Sequence, residues 1–351
     1  MRILIPILGF GPQGGYRVLS ELANAWIRLG HNCAFLVPSS SADPYFPTVA
    51  KILRCDPKGR IVDTRGDQRG SGLKNIISLF SGLERIGKEY DVVFANHSLT
   101  AWPVRWSKVG KAKKFYYIQA YEPNYYPFTR RPIKFALAKM SYLLNLRQIS
   151  NSSSYKSVGF RPLDIIPPGV DLSIFTPKSS PGSFRSQDSI NVGTIGRTEP
   201  YKGTATALMA YRHLRKEEPR LRMRVGFGNV AKADDITIVP IKGDSELASF
   251  YRSVDILVVS CVGQHGAPHY PLIEAMACGT PVVHTSYYPG KWDNSWEAED
   301  TSVEAVSAAI QKVISAPLEE RIARSTTARK YVEKTLGWDP VAQRFLKHFA
   351  A

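Results

Sequence analysis

The sequence predicts an α/β protein made of two Rossmann-like domains in series, and three observations lead there. At 351 residues the chain is longer than one hydrophobic core usually serves. Apolar runs of strand length alternate with amphipathic helical stretches, the pattern of parallel sheets covered on both faces. That alternation breaks at a Pro- and Ser-rich stretch, TPKSSPGSFRSQDS (176–189), and then starts again at INVGTIGR (190–197).

Taken in order, RILIPIL (2–8) is the first strand. The following YRVLSELANAWIRLG has Val18, Leu19, Leu22, Ala25, Trp26 and Leu29 at helical spacing, with Gly30 placed to stop the helix. HNCAFLVP completes a β-α-β start, and DVVFAN (91–96) and KKFYYIQA (113–120) continue the sheet. A helix is expected from about Ile133 to Leu146, before short strands and turns lead to DIIPPGVD (164–171). In the second half the strands are INVGTIGR, LRMRVGFG (221–228), DITIVP (235–240), DILVVS (255–260) and PVVHT. Helices are expected over Thr204–Glu217, around 245–252 and in PLIEAMACG (271–279). GWDPVAQRFLKHFA (337–350) closes the chain with Val341, Phe345, Leu346 and Phe349 at helical spacing.

Charge is distributed unevenly. Residues 1–165 hold 24 Lys+Arg against 10 Asp+Glu, a net of +14, whereas residues 166–351 hold 22 against 20, a net of +2, which together make the +16 of the chain. A basic first half points to an anionic partner, either a phospholipid surface or a phosphate-bearing acceptor, with general solubility as the plain alternative. No nucleic-acid-binding module is recognisable, so nucleic acid is not expected as a partner. Three basic clusters (Arg60, Arg65, Arg69, Lys74; Arg105, Lys108, Lys111, Lys113, Lys114; Arg130, Arg131, Lys134) are interleaved with Trp102, Trp106 and Phe128, residues suited to a lipid interface. No apolar run reaches the roughly 18 residues of a membrane span, and the opening MRILIPILGF is short for a signal peptide. The expected place is the cytoplasm, peripheral on the inner face of the cell membrane. The four cysteines are scattered without CxxC spacing, against both a zinc site and a disulfide framework, and are expected to be reduced and buried.

Three segments carry chemistry. GFGPQG (Gly9, Gly11, Gly14) matches GxGxxG, but Pro12 lies inside it and the second strand ends in Pro38-Ser39 with no acidic residue for a ribose, which counts against NAD or FAD. The glycines suit close approach of backbone to a substrate, with the next helix's amides able to hold an anion; a tight turn alone is the alternative. GTIGRTEPYKG puts Arg197 directly after a buried strand and Lys202 five residues on, two cations at a strand's C-terminal end that suit a diphosphate. HGAPHYPLIEAMACGTPVV (265–283) puts Glu274 in a short Pro-led helix, where a carboxylate can accept both hydroxyls of a ribose. No acidic cluster or DxD pair suggests a metal, and Asp234-Asp235 are expected at the surface.

In order, GGYRVLSELANAWIRLGH, IPPGVD, GRTEPYKG and PLIEAMACGTPVV resemble the retaining glycosyltransferases of GT-B architecture, in particular the large family often called family 4, over nearly the whole chain. The resemblance implies two Rossmann-like domains facing across a cleft, with boundaries at 1–168 and 169–335, and a helix over 336–351 crossing back onto the first domain. It implies a hexosyltransferase that uses a UDP-, GDP- or dTDP-linked sugar, with retention of configuration and neither metal nor other cofactor. Its acceptor would be a glycan, free or polyprenyl-diphosphate-linked, in bacterial polysaccharide biosynthesis. Arg197 and Lys202 would then contact the donor diphosphate and Glu274 the ribose. Gly14, Gly15, Gly196, His265, Gly266, Pro271 and Leu272 would complete the donor surface. His97 would approach the reacting sugar, and Gln119 and Glu122 would contact sugar or acceptor.

Many members of the family carry a second glutamate eight residues before the ribose-binding one; here that position is Gly266, with His265 and His269 beside it. YIQAYEPNYYP (117–127) is similar to a segment of transferases that build rhamnose-containing polysaccharides, which makes dTDP-rhamnose a donor to test. Two other classes stay open: a nucleotide-sugar epimerase of the same fold, and a non-catalytic nucleotide-sugar-binding protein, the latter because of Gly266.

Overall fold

The structure is a computed structural model that describes residues 1–66, 72–158, 160–186, 188–228, 230–261 and 268–351. The chain divides into two compact units, Met1–Pro168 together with Trp338–Ala351, and Gly169–Gly337.

The first unit is built on β1 (Arg2–Pro6), α1 (Gly14–Arg28), β2 (Asn32–Pro38), β3 (Lys51–Cys55), β4 (Ile61–Val62), α2 (Gly72–Ile86), β5 (Val92–Ala95), α3 (Ser98–Trp106), β6 (Lys113–Ile118), α4 (Pro132–Ser141), β7 (Arg147–Ser150) and β8 (Asp164–Ile165). The strands form one sheet in the order β4-β3-β2-β1-β5-β6-β7-β8. All pairings are parallel except β3 with β4. Because β1 is central, with Ile3 opposite both Cys33 and Val92, both of its faces are covered and its sequence is apolar without alternation.

The two faces have separate cores. Ile3, Ile5, Phe35, Phe94, Phe115 and Tyr117 point toward α1, whereas Leu4, Leu36, Val93, Tyr116 and Ile118 point toward α2 and α3. The expected helix at 133–146 ends early, at Ser141. There Tyr142 leaves the helix to donate its hydroxyl to the Ala120 carbonyl, and its own carbonyl accepts from Gln148 Nε2 at 2.6 Å.

The second unit contains β9 (Ile190–Ile195), α5 (Thr204–Arg215), β10 (Leu221–Gly226), β11 (Ile236–Val239), α6 (Asp244–Ser253), β12 (Ile256–Val259), α7 (Tyr270–Ala277), β13 (Val282–His284), β14 (Trp296–Glu297), α8 (Val303–Ser315) and α9 (Leu318–Thr335). Its six strands are all parallel, in the order β11-β10-β9-β12-β13-β14. Val192, Ile256, Val258 and Val283 pack with α5 and α8, and Leu257, Val259 and Val282 with α6, α7 and α9. The polar stretch 176–189 lies along this unit, Lys178 N–H donating to the Cys278 carbonyl and Gly182 N–H to the Gly279 carbonyl.

The chain then returns to the first unit as α10 (Trp338–Ala350). Phe345 and Phe349 bury against Trp26 and Phe94, and Trp26 Nε1 donates to the Ala342 carbonyl at 3.2 Å. Arg344 and His348 both bond the Asp164 carboxylate, at 2.8 and 3.0 Å. All four cysteines are free and buried. Among the described residues no helix is long and apolar enough to cross a membrane.

Candidate functional site

Each sheet reverses its strand order once. In the first unit the reversal falls between β1 and β5, in the second between β9 and β12. Open α/β sheets bind ligands outside the C-terminal strand ends at such a reversal, since the two crossovers leave on opposite faces and a crevice opens between them. Most of the residues singled out from the sequence lie at these two places.

In the second unit β9 runs into Gly196, Arg197 and a short 3-10 turn, Pro200–Lys202. Gly196 is backed so closely by the Gly228 backbone that an added Cβ would lie 2.9 Å from its carbonyl carbon and nearer still to the oxygen. Gly203 has φ +73, and a Cβ there would lie 2.9 Å from Cys261 N and nearer still to the Ser260 carbonyl. The glycines therefore let the β9 loop lie against the end of β12. That contact is held by Ser260 Oγ donating to the Gly203 carbonyl at 2.8 Å and Cys261 Sγ to the Lys202 carbonyl at 3.3 Å. Thr204 Oγ1 accepts from Arg197 N–H at 3.0 Å and completes the loop.

Arg197 is exposed and Lys202 half-buried. Both act on His269, whose imidazole is held down to about 3 by burial first and then by the charges of Lys202 and Arg197. His269 is therefore neutral, and its Nε2 lies 3.3 Å from Cys261 Sγ. The same two cations favour the Cys261 thiolate, but burial outweighs them and the thiol's pKa is raised. The charges of Arg197 and Lys202 thus both reach the neutral His269, beside the C-terminal ends of β9 and β12.

His269 precedes α7, and Pro271 opens that helix. Leu272 is fully buried in the core and its N–H is bonded to the His269 carbonyl, so its side chain serves packing. Glu274 is 2% exposed, and its Oε2 accepts from Tyr251 Oη at 2.9 Å. The carboxylate raises the Tyr251 phenol further above its ordinary value, adding to burial. His265 and Gly266 lie outside the described residues, as does Arg69 of the first basic cluster. Asp235, expected at the surface, pairs with Arg212 at 2.9 Å.

In the first unit α1 opens on Gly14 and Gly15, with no side-chain cap and no acid in its first turn. A Cβ on Gly14 would meet nothing within 4 Å, and one on Gly15 would touch the Gln119 amide at 3.5 Å. Gln119 follows β6, and its carbonyl accepts from Asn151 Nδ2 and Tyr155 Oη at 2.9 and 3.0 Å.

His97 caps α3. Its Nδ1 accepts from Leu99 N–H at 3.0 Å, which leaves the proton on Nε2, 3.1 Å from Glu122 Oε2. Glu122 is 4% exposed. Its oxygens also take the Ser98 N–H at 2.9 and 3.0 Å and the Ser98 hydroxyl at 2.5 Å. A carboxylate at a helix N-terminus is favoured by the free amides and the helix dipole together. Around it the phenols of Tyr16, Tyr126 and Tyr142 are raised, in each case by burial first and by the Glu122 charge second. Expected among the acceptor contacts, Glu122 is instead the buried partner that orients His97, whose side chain is 30% exposed.

The sequence missed the supports: Tyr251 under Glu274, Ser98 under Glu122, and Ser260 and Cys261 under the Lys202 loop. The one signal present was Ser260-Cys261 at the end of an apolar strand, where small polar side chains fit a backbone-to-backbone contact. Among the described residues no group of three or more His, Cys, Asp or Glu could hold a metal ion.

Comparison with known proteins agrees with this architecture. Sucrose-phosphate synthase from Thermosynechococcus elongatus superposes with a TM-score of 0.71 at 17% identity, covering 100% of this chain and 98% of that one. Anabaena HepE in complex with UDP and glucose gives 0.70 at 16% identity, covering 100% of both. The fold is therefore GT-B, with its two Rossmann-like domains. Residues 189–316 match the family described as glycosyl transferases group 1. A D-inositol 3-phosphate glycosyltransferase from Segniliparus rotundus is 29% identical over 152 residues, 37% of this chain and 33% of that protein. Its counterpart from Arthrobacter sp. is 31% identical over 153 residues, 38% of this chain and 36% of that protein. The chain thus spans about a third of the length of the curated relatives it matches.

Proposed function

We propose that the protein is a glycosyltransferase of hexosyltransferase type. It would move a sugar from a nucleotide-linked donor to a glycan or polyprenyl-diphosphate-linked acceptor in bacterial cell-surface polysaccharide biosynthesis. The supporting observation is that Arg197 and Lys202 follow β9 at the strand-order reversal of the second unit, where the charges of both act on His269, in the unit matched by group 1 glycosyl transferases. In this reading the donor's diphosphate lies against Arg197 and Lys202, and Glu274, its carboxylate oriented by Tyr251, takes the ribose hydroxyls. Gly196 and Pro271 border the nucleotide. Gly14 and Gly15 leave room at the head of α1 for an anionic or hydroxyl-rich group, with His97 and Gln119 beside it for sugar or acceptor.

In the reaction the bond from the anomeric carbon to the leaving phosphate oxygen breaks, and a bond to the acceptor oxygen forms on the same face, so configuration is retained. The acceptor's proton passes to the leaving phosphate oxygen. Arg197 and Lys202 balance the charge that grows on the diphosphate, an effect worth about 10²–10³ in rate for one well-placed donor. No metal is assigned a part. The donor nucleotide is UDP, GDP or dTDP, with dTDP-rhamnose first to be tried. The basic first unit fits attachment to the anionic inner face of the cell membrane.

The test is nucleoside diphosphate release from a panel of nucleotide sugars, with and without lipid-linked glycans. Release that requires the acceptor, and that drops at least tenfold in both Lys202→Ala and Glu274→Gln while each variant stays folded, is the expected result. Near-wild-type turnover in both variants would sink the assignment. Donor conversion without any acceptor would favour an epimerase, and tight donor binding without turnover a binding protein.

A further inference from the structure

A cavity of about 830 Å³ lies in the first unit, with most of its lining near the N-terminal ends of β6, β7 and β8. Lys113 is the first residue of β6 and Arg147 the first of β7, while Leu163 stands just before β8; the three strands are adjacent and parallel. The basic residues therefore gather at N-terminal strand ends, while Tyr121, beyond the C-terminal end of β6, closes the far wall.

Its lining is lopsided in charge. Lys113, Lys114, Lys139, Arg147 and Arg161 contribute to it, and among the described residues no Asp or Glu does. The Lys113 and Lys114 ammonium groups donate to backbone carbonyls, of Phe349 and Ala350 and of Arg105 and Ser107, which accept the hydrogen bonds but neutralise no charge. The proton of Lys114 is accordingly held less tightly than usual, through burial first and the Arg105 charge second.

The remaining wall is apolar. Tyr142 and Phe160 pack with ring centroids 4.1 Å apart, Tyr121 lies 6.0 Å from Phe160, and Leu143 and Leu163 stand at the rim 83% and 59% exposed. Exposed leucines beside two exposed guanidinium groups match an amphiphile with an anionic head better than a fully hydrated anion.

We propose that this cavity binds the phosphate-bearing head group of an anionic amphiphile, its phosphate against Lys139, Arg147 and Arg161 and its apolar part along Leu143 and Leu163. The proposal deepens the reading of the first unit as membrane-facing, is tested apart from it, and is independent of sugar transfer.

The full-length protein is titrated with soluble dihexanoyl phosphatidylglycerol, with its phosphatidylcholine analogue, with glycerol phosphate and with inorganic phosphate. It is also floated with vesicles of phosphatidylglycerol or of phosphatidylcholine. Arg147→Glu/Arg161→Glu alters the cavity, and Arg85→Glu/Lys88→Glu makes the same charge change on exposed positions outside its lining. Each cation near an anionic head group contributes about fivefold, so the cavity variant should bind the short acidic lipid roughly thirtyfold more weakly while the control changes by less than about threefold. Equal losses in the two variants, or no binding of the short acidic lipid to the wild type, overturn the cavity. If the vesicles still float the protein in that case, its attachment is delocalised charge. Binding of the short lipid without flotation keeps the cavity and discards the membrane surface. Inorganic or glycerol phosphate binding as tightly as the lipid would leave the apolar wall unused and overturn the amphiphile.

Discussion

Gly203→Ala probes how the second unit sets its cations. Gly203 has φ +73, where an alanine costs about 1 kcal/mol against an ordinary backbone. The larger contribution is steric. The new methyl would lie 2.9 Å from Cys261 N and deeper still into the Ser260 carbonyl, both backbone groups at the end of β12, so no side chain can rotate away. Relief requires the Pro200–Gly203 turn to lift off the strand end, which breaks the bonds from Ser260 Oγ to the Gly203 carbonyl and from Cys261 Sγ to the Lys202 carbonyl. Backbone strain and the lost bonds together come to about 2–4 kcal/mol. For a unit of this size that is a fall of roughly 5–15 °C in its melting transition. Displacing Lys202 should also weaken nucleoside diphosphate binding at least tenfold. Gly14→Ala is the matched control, since its methyl meets nothing and the residue is helical; its stability should stay within about 1 kcal/mol of wild type. Calorimetry and nucleotide titration on the two variants decide the matter. A Gly203→Ala protein with wild-type melting and unchanged nucleotide affinity would refute the account of this turn.

Other expectations follow from the same contacts. Burial holds His284 down to about 4 against an ordinary 6.5, so between those values the unfolded chain binds the extra proton and the folded chain does not. Stability of the second unit is thus full above pH 6.5 and falls as pH drops toward 4, by about 3 kcal/mol for this residue. Denaturant midpoints across that range should show the decline, and His284→Gln should reduce it without abolishing it, because burial also holds His269 of the same unit neutral; an equal slope in both proteins would contradict the assignment. Glu122→Gln replaces a carboxylate holding Ser98 N–H, Ser98 Oγ and His97 Nε2, and should destabilise the first unit by about 1–3 kcal/mol. His97→Asn keeps an N-cap acceptor and should cost less than about 1 kcal/mol, so urea midpoints in the reverse order would disprove the roles given to the pair. Phe345→Ala empties a fully buried site between Trp26, Phe94 and Tyr117 and should cost about 3–5 kcal/mol by denaturant unfolding, confined to the first unit.

What the sequence made legible follows from how each element is buried. β1, β2 and β12 are covered on both faces, so they appear as largely apolar runs between glycine or polar breaks, whereas β9 also carries Asn191 and Thr194, the latter buried with its hydroxyl donating to the Val258 carbonyl. α1 and α10 show wide apolar stripes because each packs against both the sheet and the other helix. α9 was not legible, since among its eighteen residues only Ser325, Ala328 and Val332 are buried, a stripe one residue wide. α3 was hidden by Pro103, which removes a backbone donor inside a nine-residue helix; the helix persists because His97 and Thr100 form a capping box at its start.

At the candidate sites the same limit has a different cause. Arg197, Lys202 and Glu274 stand out because charge next to an apolar strand or inside an apolar helix is locally anomalous. Whether such a charge faces a ligand or a partner in its own fold is decided by residues far along the chain. Tyr251 lies 23 positions from Glu274, and Ser98 lies 24 from Glu122. Both glutamates are buried and bonded by a hydroxyl. Glu122 also takes a backbone amide and an imidazole, contacts that hold His97 in place. A conservative change at Glu122 should therefore act through stability and His97 geometry, whereas the same change at Glu274 should raise the KM for the nucleotide donor while leaving the fold of its unit intact.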